Sequence, residues 1–129
     1  MLDNSKLLRL ALLADGAACL GLGGLLALGA GALAGPLGLS VGLLQPVGLF
    51  LLVWAAFVLW TGAQAMPPRW AAWFIVAGNL LWTVDSLALL GFVQPTGLGV
   101  AFVLTQAVFG LCAALLQMAG LRRGGALAA

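Results

Sequence analysis

From Leu10 to Leu121 the chain carries three charged residues, Asp15, Arg69 and Asp85. Nothing else in the sequence constrains the fold as strongly. A soluble domain places charge on about a quarter of its residues, whereas here 6% are charged and 64% are hydrophobic. So few charges cannot cover a water-facing surface, and the apolar patches left bare would aggregate. The same composition suits a lipid-facing surface. We read the 129 residues as one transmembrane domain, with no low-complexity polar tract and no room for a second, soluble domain.

The apolar runs and their punctuation predict spans at approximately 7–33, 46–64, 70–92 and 98–121. Asp3, Asn4 and Ser5 are suited to cap the first helix, and Gly35-Pro36 is expected to stop it. The basic start, the apolar run and Ala32-Leu33-Ala34 imitate a secretory signal. The run is longer than the roughly 7–15 residues of such a segment and contains Asp15, so cleavage is not expected. Leu37 to Ala65 would be about 44 Å long as one helix, too much for a single span. We therefore expect Leu37–Leu44 to be interfacial or re-entrant, with Pro46 near the first turn of the second helix. Met66-Pro67-Pro68 should force the second and third helices into an antiparallel hairpin, and Gln94-Pro95-Thr96-Gly97 reads as the next turn. The small-residue tail after Arg123 is expected to be disordered.

Charge placement predicts orientation. Lys6 and Arg9 precede the first span, Arg69 separates the second from the third, and Arg122 and Arg123 follow the fourth. With four spans these positions share one side, and the other two loops are uncharged. The positive-inside rule assigns the basic side to the cytoplasm, and Trp60, Trp70 and Trp73 gather at that boundary as an aromatic belt would. The expectation is an all-α membrane protein, an antiparallel four-helix transmembrane bundle with both termini cytoplasmic, in a bacterial inner membrane.

Several chemistries lack their central residue. The chain has no histidine or tyrosine, two cysteines and three aspartates. Haem ligation, Ser-His-Asp triads and Cys-His pairs are excluded, and the remainder makes a poor zinc or iron–sulfur site. We expect no catalytic residue, metal or cofactor. A net charge of +2, with no clustered basic face, offers no nucleic-acid footprint.

The first helix is rich in glycine. Gly16, Gly23, Ala27 and Gly31 belong to a set of small residues that includes repeats at four-residue spacing, which lets helices approach closely in lipid. Packing within the monomer would explain such a face. The small residues run almost all round the helix, however, which favours some contact outside the monomer as well.

Asp15 lies roughly 13 Å into the membrane by helix rise, where an ionised carboxylate costs a few kcal/mol or more. It must find a partner, face a cavity or be protonated. Arg9 is awkwardly spaced for it, and Arg122 or Gln117 are better placed by depth. On the third helix Asn79, Trp82, Thr83 and Ser86 share one face at spacings of three and four. Asp85 flanks that face at the depth of Thr105 and Gln106. Interhelical hydrogen bonding explains such a stripe at about 1 kcal/mol per bond, and a pocket for a small polar or headgroup-like ligand is the alternative. The candidate ligand or proton site is therefore Asp15, Asn79, Trp82, Asp85, Ser86 and Gln106. No relay connects the two aspartates in the sequence. Cys19 shares a face with Asp15 and lies at the depth of Cys112, and both read as small inert hydrophobes.

Leu8-Arg9, Asp15, the glycine-rich first helix, Asn79-x-x-Trp82, and Gln106 and Gln117 with Gly120-Leu121-Arg122-Arg123 together resemble small integral membrane proteins of high-GC bacteria. The resemblance covers most of the chain and implies four helices and nothing more. Small multidrug-resistance transporters also have four helices and an acid in the first, but their glutamate and tyrosine-bearing pocket are missing here. Two functions are compatible with the residues. One is a non-catalytic membrane component, an accessory, scaffold or lipid-binding subunit that contacts membrane lipid and forms a homo-oligomer or larger complex. The other is a small oligomeric proton- or cation-coupled transporter or channel using Asp15 and Asp85.

Overall fold

The structure is a computed structural model that describes residues 4–128, with side chains described for 6–122. The described residues form four helices: α1 (Asn4–Leu37), α2 (Val41–Ala63), α3 (Arg69–Leu89) and α4 (Gly97–Ala128). All four are long and apolar enough to cross a membrane, and the chain is an all-α multi-pass membrane protein. With 21 residues, α3 is about 31 Å long, close to the thickness of a hydrocarbon core.

The punctuation between α1 and α2 differs from the expected one. The helix does not stop at Gly35-Pro36 but runs through Pro36 to Leu37. Its end is made by Gly38, whose φ of +67° is open to glycine at little cost. The Gly38 N–H donates to the Gly35 carbonyl at 3.2 Å and the Leu39 N–H to the Ala34 carbonyl at 3.1 Å, closing a Schellman motif. Ser40 then caps α2, its hydroxyl accepting from the Leu43 N–H at 3.1 Å. Leu37–Leu44 is thus not a separate piece between the two helices. It is the last residue of α1, a three-residue turn and the first turn of α2. Pro46 lies beyond that first turn, inside α2.

Other ends are tied by side chains to carbonyls that a helix terminus leaves open. The Thr96 hydroxyl donates to the Pro36 carbonyl at 2.7 Å and accepts from the Gly99 N–H at 3.0 Å, so one residue both caps α4 and seals the end of α1. At the opposite end Arg9 donates to the Gly62 carbonyl, in the last turn of α2, at 3.3 Å, and Arg69 ties the start of α3 to α4 by donating to the Leu121 carbonyl, within that helix, at 3.2 Å. Two further expectations change. Of the anticipated caps of α1, Asp3 lies outside the described residues. The segment after Arg123, expected to be disordered, continues α4 as helix to Ala128.

The neighbour relations are the main surprise. α1 packs along both α2 and α4, and α3 packs on α4, whereas α2 and α3 barely approach one another despite their short connection. The Pro67-Pro68 connection thus joins α2 and α3 in sequence but does not make them a packed pair. The four helices form an open C, with α2 and α3 as its tips. Its apolar core has two clusters. One is built on Leu12, Val58, Ile75 and Ala114, toward the end carrying Arg9 and Arg69. The other is built on Leu26, Leu44, Leu51 and Val103, toward the uncharged end.

Small residues close the α1–α2 seam. A Cβ on Gly23 would lie 2.9 Å from the Gly48 carbonyl oxygen, and one on Gly48 would lie 2.8 Å from the Gly23 carbonyl and against the backbone of Ala27. Gly16 faces the backbone and side chain of Leu59. Gly31 does not join this seam: a Cβ there would meet nothing within 4 Å, as at Gly21 and Gly24.

Candidate functional site

Asp15 is buried, 2% exposed, and meets two equally buried amides, Asn79 of α3 at 4% and Gln117 of α4 at 0%. One carboxylate oxygen accepts from the Asn79 amide at 2.8 Å and from the Gln117 amide at 2.9 Å. Asn79 also donates to the Gln117 carbonyl oxygen at 3.1 Å, which closes a triangle linking α1, α3 and α4. The second carboxylate oxygen accepts from the Cys19 thiol, one turn along α1, at 3.6 Å. Three donors therefore converge on a group whose isolated burial in lipid would be costly. Of the partners weighed by depth, Gln117 takes the role. Arg9 is engaged at Gly62, and Arg122 is exposed.

The polar stripe of α3 continues this contact toward the uncharged end. The Thr83 hydroxyl lies 3.0 Å from the Asn79 carbonyl and 3.2 Å from the Ala107 carbonyl, donating within its own helix and across to α4. The Trp82 indole N–H donates to the Gln106 side-chain oxygen. The Gln106 amide in turn donates to the Ser86 hydroxyl and to the Val103 carbonyl, each at 2.9 Å. Asn79, Trp82, Thr83 and Ser86 thus all bear on the α3–α4 contact.

Asp85 stands apart. It is exposed, and it makes no hydrogen bond or ion pair among the described residues. Gln106, which shares its depth, is taken by Trp82 and Ser86. Both cysteines are free thiols, Cys112 exposed and Cys19 half-buried. Among the described residues no three metal-ligating side chains come together.

Asp15 and Asp85 do share a cavity. It has a volume of about 1080 Å³ and occupies the inside of the C, with walls from all four helices. Asp15 and Asn79 lie in its wall at the deeper level, and Trp82, Asp85 and Gln106 lie nearer the uncharged end. Apart from Thr105 and the Cys19 thiol the remaining lining is apolar, with Phe50 and Trp54 of α2, Phe74 of α3, and Phe102 and Phe109 of α4. The mouth lies where α2 and α3 stand apart, and its rim residues Phe50, Phe74 and Leu81 are exposed. Toward the Arg69 end this gap is bridged by rings, Trp54 against Phe74 at 5.8 Å and Phe57 against Phe74 and Trp70 at 5.9 and 6.3 Å. Glycine makes room for the bridge: a Cβ on Gly78 would lie 2.5 Å from the Trp54 ring.

Sequence reasoning marked both aspartates and the α3 stripe but did not find the cavity. Its α2 wall offers no polar residue to reveal it. The signal was there in Gly78 beside an otherwise bulky aromatic set, yet a lone glycine does not say which helix it faces. Comparison with protein-family profiles, with curated proteins and with solved structures finds no match to this chain.

Proposed function

We propose that this protein is a non-catalytic component of a bacterial inner membrane that holds an amphipathic molecule, taken from the bilayer, in the cavity between α2 and α3. The observation that carries the reading is the cavity itself. Ligand sites are typically concave, mostly apolar, and furnished with a few placed polar groups, and this one meets each condition within the apolar length of four helices. A rim of exposed Phe50, Phe74 and Leu81 gives a ligand an apolar route from lipid. The charge pattern supports cytoplasmic termini. The open glycines of α1, Gly21, Gly24 and Gly31, support contact with a second chain or a larger assembly.

Native mass spectrometry after gentle extraction tests this. The expected spectrum contains a stoichiometric lipid or other amphiphile, and Ala77→Trp and Ala101→Trp, which fill the cavity from α3 and α4, should abolish the adduct. A bare chain, or an adduct indifferent to both substitutions, removes the reading.

A second reading has one observation in its favour: two carboxylates lie at different depths of one cavity. That arrangement suits a proton- or cation-coupled transporter. Flux into proteoliposomes that disappears in Asp85→Asn would establish it over simple binding, and a well-folded protein with no flux would remove it.

A further inference from the structure

The cavity has a polarity of charge as well as of hydrophobicity. Among the described residues its lining includes two carboxylates and no lysine or arginine. The basic side chains gather at the other end, where Arg9 and Arg69 are occupied by the carbonyls of Gly62 and Leu121. The connection around Gly38 and the one around Pro95, which close the uncharged end, contain no charged residue.

The two carboxylates are not equivalent. Asp15 is buried and its oxygens already accept from Asn79, Gln117 and Cys19. Asp85 is exposed and makes no hydrogen bond or ion pair among the described residues. By helix rise it sits about 9 Å from the level of Asn79 and about 6 Å from the end of α3. That places an uncommitted anion near the membrane surface, beside an aromatic-walled cavity. Ring faces attract cations through their quadrupole, the more so where water is excluded, and Trp54, Phe74, Phe102 and Phe109 line the cavity.

Resting on the reading of the cavity as an amphiphile site, we infer that its ligand is a hydrophobic organic cation, with its apolar bulk among the aromatic walls and its positive centre at the Asp85 carboxylate. Anionic amphiphiles are disfavoured, since they would place like charge beside Asp85 with no basic side chain in the lining to receive it. A zwitterionic headgroup meets the same difficulty through its phosphate. A quaternary centre carried on apolar groups does not.

Two ions of the same shape and opposite sign make the test: tetraphenylphosphonium and tetraphenylborate. Their binding to the full chain is measured by equilibrium dialysis in dodecyl maltoside micelles, with protein-free micelles subtracted. An uncharged alkyl diazirine, photolysed in the same samples, reports whether the cavity walls are occupied. The cation should bind about tenfold more tightly than the anion, as expected for a carboxylate partly screened by water. Asp85→Asn should bring the two ions to near parity without changing helical content, because Asp85 holds no structural bond. Ala101→Trp should exclude both.

Equal binding of the two ions, or a preference retained in Asp85→Asn, overturns the inference. If both ions still displace the diazirine from Phe102 and Phe109, the amphiphile site itself survives. If neither ion binds and the diazirine leaves the walls unlabelled, the site falls as well. Displacement of the phosphonium by a small excess of phosphatidylcholine would assign the position to a choline headgroup and overturn the choice of a free cation.

Discussion

The α1–α2 seam and the α2–α3 gap share one helix and differ in almost everything else. Along the seam glycine faces glycine, and the carbonyls of Gly23 and Gly48 come within reach of the opposite backbone. Across the gap Trp54, Phe57, Trp70 and Phe74 hold the helices apart ring to ring. In lipid there is no hydrophobic force to draw helices together, so packing is decided by shape and hydrogen bonds. Small residues let α1 and α2 close, and large ones leave a cavity between α2 and α3. The five-residue connection from α2 to α3 therefore leaves its helices apart, while the seven-residue connection from α3 to α4 joins a packed pair.

The seam should break first. Gly48→Ala drives a methyl group into the backbone of α1 at Gly23, Leu26 and Ala27, where nothing flexible can yield. The expected loss is about 2–3 kcal/mol, larger than the helix-propensity gain of alanine, about 1 kcal/mol. Unfolding in mixed micelles with added SDS, followed by circular dichroism, measures it. A neutral result would mean that α1 and α2 are not in close contact.

Next in size is the buried triangle. Gln117→Leu withdraws one of the amide donors from Asp15 and should cost about 2 kcal/mol, the penalty of a buried group left short of a partner. The same loss made in an Asp15→Ala background should be smaller by about 1 kcal/mol. Strict additivity of the two would show that Asp15 and Gln117 do not interact.

The gap should tolerate what the seam does not. Gly78→Ala meets the outer edge of the Trp54 ring, a side chain that can swing. Its cost should be nearly cancelled by helix propensity, leaving stability within about 0.5 kcal/mol of the unmodified chain. The contrast between alanine at Gly48 and at Gly78 is the sharpest form of the comparison, and equal effects would erase it.

The smallest effect belongs to Asp85. With no hydrogen bond to lose, Asp85→Asn should alter unfolding by less than about 0.5 kcal/mol, whereas Asp15→Asn should cost more because it replaces an acceptor with an amide facing other donors. A large destabilisation by Asp85→Asn would mean the carboxylate has a structural partner and is not a free anchor.

Parts of the site are legible in the sequence alone. Asn79, Trp82, Thr83 and Ser86 fall on one face by helical period alone, and that face meets α4. Gln117 was a depth match for Asp15 because helices of similar length align level by level. Other features were not legible. Pro36 looks like a stop because its missing N–H leaves the Ala32 carbonyl without an i−4 bond, yet α1 runs one residue past it and the left-handed turn at Gly38 ends it. Asp15 and Asp85 looked alike as carboxylates in apolar helices, and nothing local distinguished them.

The sequence by itself determined that this chain enters a membrane, where its four helices lie, and which polar residues share a face, since these follow from composition and from the 3.6-residue period. Tertiary structure alone decided that α1 pairs with α2 and α4, that Asp15 is enclosed while Asp85 is free, and that a cavity opens between α2 and α3. The physical reason is that helix neighbours in lipid are chosen by the fit of surfaces far apart in sequence. Gly23 with Gly48 and Asp15 with Gln117 become partners only when whole helix faces are set against each other.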